Sequence, residues 1–412
     1  MNIWIVNHYA IPPQQAGGTR HFVLARELIR RGHQVTVIVS SFDHATRREA
    51  HLASGELFKL EVVEGVPFLW LRTPPYAGNS VARIRNMAFF AYRVWRTASE
   101  VLPVKPDVII GSSPHLFAAL AAERVAARYR VPFVFEVRDL WPQTLIDLGS
   151  FSGRHPFIKL LERIERYLYR RAACVVTLLP GATTHIQEKG GDPSKVVWIP
   201  NGIDLALVPP PKPPREDKVF TLMYAGAHGL ANGLQVVLEA AHKLEQEGWA
   251  DKIRFRLVGD GPEKAHLMNR AKQLKLASVV FENPVPKSGV YSLLQEADAF
   301  LMVLMDSPLF QWGVSPNKLF DFMASARPII FNVNTQFNPV DEAGAGISIP
   351  AGDSTALATA IKRLVQLPMK DRWAMGLRGR RYVEKYHSFD RLADKLEAVL
   401  NEVVESWPFA HS

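Results

Sequence analysis

The chain has 412 residues, with 49 Lys and Arg against 40 Asp and Glu, a formal net charge of +9 and a single cysteine. That length is too great for one compact core and fits two domains, with the ordinary apolar content of a soluble globular protein. Cys174 cannot form an internal disulfide, which suits a reducing cytosol; no apolar run reaches the length of a membrane span, and the N-terminus opens on a strand rather than a signal peptide.

The basic balance favours an anionic partner, whether nucleic acid, an acidic membrane leaflet or a phosphorylated substrate. Asn2 to Val6 (NIWIV) reads as a buried strand, followed by a proline-bearing loop, the pair Gly17-Gly18, a helical pattern from about Thr19 to Arg31, and a second strand, Gln34 to Ser40. Such alternation predicts an α/β chain with parallel sheets covered by helices. The G-x-G-x-x-G fingerprint is absent. A glycine pair at a helix start lets a backbone approach a phosphate closely, and a tight turn reads equally from the same residues. His21 is a weaker candidate beside it.

No acidic residue occurs from Gly65 to Ser99, while arginines alternate there with aromatic residues. At about 100° per residue, a helix over Ala82 to Ala98 gathers Ile84, Met87, Ala88, Ala91, Val94 and Trp95 on one face. Arg85, Phe89, Tyr92, Arg93 and Arg96 fall on the other, with Arg83 just before. This mixture suits the headgroup layer of an anionic membrane; a helix packed on both sides is the plain alternative. Single-stranded nucleic acid ranks lower, since no nucleic-acid motif accompanies the window.

The strand DVIIG runs into Ser112-Ser113-Pro114-His115, and PFVFEV runs into Arg138-Asp139-Leu140-Trp141-Pro142. Open parallel sheets place ligands at such strand ends. A lone His there is more often a hydrogen-bonded structural residue, and an adjacent Arg and Asp can pair with each other. The segment VPPPKPP, Val208 to Pro214, cannot hold a regular helix and marks a domain boundary. A second α/β alternation opens with FTLMYA, then Gly226-Ala227-His228-Gly229-Leu230-Ala231-Asn232-Gly233 before a helix, which reads as a phosphate cradle or a flexible loop. IRFRLV ends in Gly259-Asp260-Gly261, and a further strand leads to Asn283-Pro284-Val285-Pro286.

The stretch GVSPNKLFDFMASARPII is the most informative. Pro316 suits a helix's first turn, and Ser315 can cap it from outside. The free N–H groups of Asn317 and its neighbours form an anion site to which Lys318 adds a charge, with Asp321 three residues on along the same face. A surface helix with a good start signal explains the same residues. No Asp-x-Asp pair and no His/Cys cluster of zinc spacing occurs, so no metal and no cofactor is expected.

SPNKLFD followed by Arg327-Pro-Ile-Ile resembles the signature helix of retaining, GT-B-type glycosyltransferases of family 4 (group 1). Its nearer likeness is to the branch of bacterial surface-polysaccharide, N-acetylfucosamine-type transferases. The resemblance implies two Rossmann-like domains facing across a cleft: residues 1–207 for acceptor and membrane, a linker at 208–217, residues 218–385 for the nucleotide sugar, and a helix at 386–412 returning to the first domain. It implies His115, Arg138 and Asp139 as the catalytic set. Donor contacts fall to Gly17, Gly18, Gly226, His228, Gly229, Asn232, Gly261, Val285, Pro286, Ser315, Pro316, Asn317, Lys318 and Asp321. It also implies a UDP-linked donor, a polyprenyl-diphosphate-linked saccharide acceptor, no nucleic acid, and a peripheral place on the inner face of the cell membrane.

Three positions depart from the family. Gly313 stands where a first glutamate is usual, and Ala227 and Asn232 stand where a loop Arg and Lys hold the diphosphate. A nucleotide-sugar epimerase of the same fold and a non-catalytic scaffold are the alternatives.

Overall fold

The computed structural model describes residues 1–408 except 16, 45, 79–80, 150 and 215–218. The end of the expected linker, 215–217, therefore lies outside the described residues. The chain divides into two compact units, Met1–Pro200 with Phe389–Ser412, and Asn201–Ser388.

The first unit contains the strands β1 (Asn2–Val6), β2 (Gln34–Ser40), the short pair β3 (Phe42–Asp43) and β4 (Arg48–Glu49), β5 (Phe58–Val63), β6 (Val66–Leu71), β7 (Val108–Ser112), β8 (Phe133–Val137), β9 (Cys174–Thr177) and β10 (Val196–Trp198). Its helices are α1 (Arg20–Arg30), α2 (Val81–Val101), α3 (Leu116–Tyr129), α4 (Gln143–Asp147), α5 (Pro156–Arg171) and α6 (Ala182–Glu188). The main sheet runs β10-β9-β8-β7-β1-β2-β6-β5. Every pair is parallel except the β5–β6 hairpin. From β1 the chain first builds outward to β2, then returns to β7 on the other side. That reversal opens a crevice at the carboxyl ends of β1 and β7, where such sheets bind ligands.

Strands this apolar must bury both faces. Ile3, Ile5, Val35, Val37, Phe68 and Trp70 pack with α1 and with the last helix, while Trp4 meets Tyr129 of α3 edge-on at 5.6 Å.

The second unit has β11 (Phe220–Ala225), β12 (Ile253–Val258), β13 (Val279–Glu282), β14 (Ala299–Val303), β15 (Ile329–Asn332) and β16 (Gly346–Ile349). Its helices are α7 (Gln235–Gln246), α8 (Lys264–Gln273), α9 (Lys287–Leu294), α10 (Asn317–Ala324), α11 (Pro339–Ala343), α12 (Ser354–Gln366) and α13 (Met369–Tyr386). The sheet order β13-β12-β11-β14-β15-β16 reverses at β11 as the first sheet does at β1. The last helix, α14 (Phe389–Glu405), belongs to the first unit. Leu392, Leu396 and Leu400 enter that core, Arg31 donates to Asp390 and Asp394 at 2.8 Å each, and His33 lies 2.8 Å from Glu397.

The boundary falls after Pro200, ahead of the expected 207, because residues 201–204 (NGID) are tied into the second unit. Asn201 N–H donates to Ser315 Oγ at 2.9 Å, and Ile203 bridges to Ser388. The prolines that follow are strapped down too. Arg380 donates to the Pro209 carbonyl and Arg327 to that of Lys212, both at 2.8 Å.

Candidate functional site

In the second unit the reversal point gathers the glycine-rich loop after β11 and the start of α10. Lys318 leaves the first turn of α10 and runs back under the loop. Its Nζ donates to Tyr224 Oη at 2.8 Å and to Asn232 Oδ1, and sits 4.5 Å from the centre of the Tyr224 ring. Tyr224 in turn donates to the Ala227 carbonyl at 2.7 Å. Burial in this partly apolar seat pushes the Lys318 ammonium down to about 7. Gly226 leaves room for it, since a Cβ there would lie 3.3 Å from Lys318 Cδ.

Helix α10 begins without a side-chain cap, with Pro316 in the cap position. The leading N–H groups of the helix are thus left to an anion, in the way helix N-termini bind phosphate. Asn232, Gly226 and Lys318 are brought together with this helix tip. His228 in the same loop is fully buried, and neither ring nitrogen has a hydrogen-bond partner. Burial, with Lys264 and Lys318 nearby, lowers its pKa and keeps it neutral.

Two expectations about the start of α10 need correction. Ser315 does not cap α10; its hydroxyl accepts from Asn201, and its carbonyl accepts the Asn201 side chain at 2.7 Å. Pro316 precedes the helix instead of opening its first turn. Asp321 accepts the Tyr291 hydroxyl at 2.7 Å, so α10 leans on α9. Pro286 occupies the cap position of that α9, and Val285 packs against the core beneath it. At Gly261 a Cβ would lie 2.5 Å from the His228 carbonyl oxygen.

In the first unit the ends of β1, β2, β6 and β8 border a cavity of about 530 Å³ lined by Gly17, Gly18, His8, His44, Trp70 and Arg138 among others. Arg138 presents a guanidinium whose Nε has no hydrogen-bond partner. His115 does not line this cavity. It caps α3, accepting from Ala118 N–H at 3.4 Å, and is 1% exposed behind the His8 ring. Burial and Arg83 push its imidazole down to about 3. Asp139 is exposed and also lies off the cavity lining.

His21 belongs to a buried brace. Glu136 receives Arg20 at 2.8 Å, lies 2.7 Å from His21 Nε2 and accepts from Ser112 at 2.5 Å, and Arg20 also donates to the carbonyls of Ile199 and Pro200. Burial pushes the Glu136 carboxyl up, but His21 and Arg20 outweigh it and hold the group well below the usual range.

On α2, Asn86, Met87, Phe90, Val94, Thr97 and Ala98 are buried. Arg85, Phe89, Tyr92, Trp95 and Arg96 form an exposed stripe. Trp95, expected on the apolar face, is 42% exposed, with Arg128 of α3 stacked 5.2 Å over its ring. Arg93 lies 5.4 Å over Phe89. Arg83 turns from the stripe toward His8, Tyr9 and His115, where burial, aided by its charge, lowers the pKa of both imidazoles, while burial raises that of Tyr9 against it.

His8, Tyr224, Tyr291 and Asn201 escaped the sequence reading. Only Tyr224 carried a local signal, as the last bulky residue before the glycine loop. Among the described residues no group of three His, Cys, Asp or Glu is placed to hold a metal ion, and no helix is long and apolar enough to cross a membrane.

Two parallel sheets, each reversing at its first strand, define the GT-B glycosyltransferase fold. The sucrose-phosphate synthase of Thermosynechococcus elongatus superposes with a TM-score of 0.75 at 15% identity, over 98% of this chain and 99% of that one. Anabaena HepE, solved with UDP and glucose, superposes with a TM-score of 0.68 at 15% identity, over 97% and 99%. A family model described as "Glycosyl transferase 4-like domain" matches residues 17–202, and one described as "Glycosyl transferases group 1" matches residues 219–367. Together they span most of the chain, which belongs to the group 1, family 4-like glycosyltransferases and is an enzyme of that class. Among curated relatives, WcaI of Escherichia coli, named for colanic acid biosynthesis, is 25% identical over 83% of this chain and 86% of its own length. The glycosyltransferase WbjE of Pseudomonas aeruginosa is 26% identical over 64% and 67%.

Proposed function

We propose that this glycosyltransferase moves an N-acetylated or deoxy sugar from a UDP-linked donor to a polyprenyl-diphosphate-linked saccharide during surface-polysaccharide synthesis. The observation that carries the reading is Lys318, held by Tyr224 and Asn232 beside an uncapped helix tip. The name of WcaI and the UDP complex of HepE support the pathway and the donor.

Lys318 and the Asn317 N–H take the diphosphate without a divalent ion, and Asn232 fixes where the ammonium sits. Asp321, steadied by Tyr291, takes the ribose hydroxyls. Arg138, on the cavity lining, is the first-unit residue assigned to the sugar, with His115 and Asp139 off that lining, and the first unit receives the acceptor. In the reaction the bond from the anomeric carbon to the β-phosphate oxygen breaks, and the electron pair leaves with UDP. The acceptor oxygen bonds the same face of that carbon, and its proton passes to the departing phosphate oxygen. Configuration is retained, and no protein nucleophile is needed.

The exposed stripe of α2 is the membrane-facing surface on the cytoplasmic side, where arginines meet lipid phosphates and aromatics seat at the interface. Phe89→Ala with Arg93→Ala is expected to weaken co-sedimentation with anionic vesicles at least ~10-fold; unchanged binding removes the membrane role.

The enzymatic reading is tested by incubating the protein with UDP-sugars and lipid-linked saccharides in EDTA. Acceptor-dependent UDP release is expected. Release that requires a metal contradicts the mechanism, and epimerised donor without acceptor supports the epimerase alternative.

A further inference from the structure

Two residues beyond the first strand of the first unit lies a buried imidazole, His8, that no role above uses. Asn7 donates to Ser112 Oγ at 2.8 Å and to the Ser113 carbonyl at 3.2 Å, and its own Oδ1 accepts from Tyr9 N–H at 2.8 Å. These bonds pin the turn on both sides of His8. The His8 ring is further fixed between Phe90 at 4.4 Å and His115 at 4.7 Å. His8 is 3% exposed, it lines the cavity of about 530 Å³, and its Nδ1 has no hydrogen-bond partner.

A buried polar atom without a partner is costly, and a rigid one at a strand end beside a cavity is suited to a ligand. The ring is neutral: burial first, then His115 and Arg83, hold its pKa well below the ordinary value, against a smaller opposing contribution from Asn86. A neutral imidazole has one nitrogen that accepts and one that donates. A hydroxyl meeting one ring nitrogen can donate to it or accept from it, and so suits either tautomer. Gln14, Gln15 and Thr46 on the same lining offer further hydroxyl-compatible groups.

We infer that His8 is an acceptor-positioning residue whose imidazole takes a hydroxyl of the saccharide entering the first-unit cavity. The inference rests on reading that unit as the acceptor side.

The test uses the full-length enzyme labelled with 15N-histidine and a panel of methyl glycosides as probes. Binding of at least one glycoside is expected to shift the His8 ring resonances. His8→Phe, which keeps the ring volume, is expected to weaken that glycoside at least ~10-fold. His8→Asn, whose amide places polar atoms near the Nδ1 position, is expected to restore binding to within ~3-fold. UDP affinity should stay as in the wild type in both variants, and His8→Phe should not lower the melting temperature, which separates positioning from a packing role. Equal glycoside affinity in wild type and His8→Phe overturns the inference and leaves the acceptor reading standing. A wild-type enzyme that binds UDP but no glycoside overturns both.

Discussion

The two units share a topology and differ in what their loops carry. Each sheet reverses at its first strand, and each first strand ends near a buried histidine with an unpartnered ring nitrogen, His8 in one and His228 in the other. Around His228 the second unit sets a lysine, a glycine-rich loop and an uncapped helix, a set made for an anion. Around His8 the first unit sets amides, hydroxyls and aromatic rings together with the Asp43 carboxylate and the Arg138 guanidinium, a mixed polar lining. The fold supplies the place, and a few loop residues decide the chemistry.

The largest expected effect attacks the brace of the first unit. Glu136→Ala leaves Arg20 buried and unpaired, which costs about 3–5 kcal/mol. Denaturation followed separately in each unit should show the first unfolding earlier while UDP binding to the second persists. A joint shift would mean the two are not energetically distinct.

Next is Lys318→Ala, expected to slow transfer about 100-fold or more by removing a preorganised cation. Because Nζ rests on Asn232, the double variant Lys318→Ala with Asn232→Lys returns an ammonium to nearly the same point. Recovery of at least ~10-fold in kcat/KM is expected, and no recovery would mean the lysine's own path along Tyr224 matters.

A smaller, pH-dependent effect follows from burial of that lysine. Its pKa is lowered to about 7, so the ammonium is present below that pH and is lost as pH rises through it. Affinity for UDP-glucose, whose diphosphate keeps its charge in this range, should therefore fall from pH 6 to 8, approaching ~10-fold per unit above the pKa. Lys318→Arg should flatten the profile, since arginine does not titrate there. The smallest effect is Tyr291→Phe, which removes one hydrogen bond to Asp321 and should raise the UDP Kd by about 3- to 10-fold.

Much of the fold was legible because its strands are short apolar runs. NIWIV, QVTVIVS and FTLMYA coincide with β1, β2 and β11. The β5–β6 hairpin was missed because FKLEVV alternates the wrong way for an edge: Phe58, Leu60 and Val62 are exposed while Lys59 and Glu61 are half-buried, with Glu61 accepting from Trp70 at 3.0 Å. On α2 the helical period found two faces but not which neighbour covers each. Only the packing of α3 shows that Trp95 stays exposed and that Arg83 turns inward.

At the candidate site, Lys318 and the glycine loop were readable from local sequence. The partners of Ser315 and Asp321 were not. Asn201 lies 114 positions from Ser315, and Tyr291 lies 30 from Asp321. Such pairings are set by the tertiary fold, and a capping rule applied to SPNK alone assigns Ser315 to the wrong bond.

The most direct test of a metal-free anion seat is a crystal of the enzyme soaked with a uridine diphosphate sugar in the presence of EDTA. The diphosphate should lie within hydrogen-bonding distance of Lys318 Nζ and the Asn317 N–H. A diphosphate bound elsewhere, or density that appears only when a divalent cation is added, would contradict it.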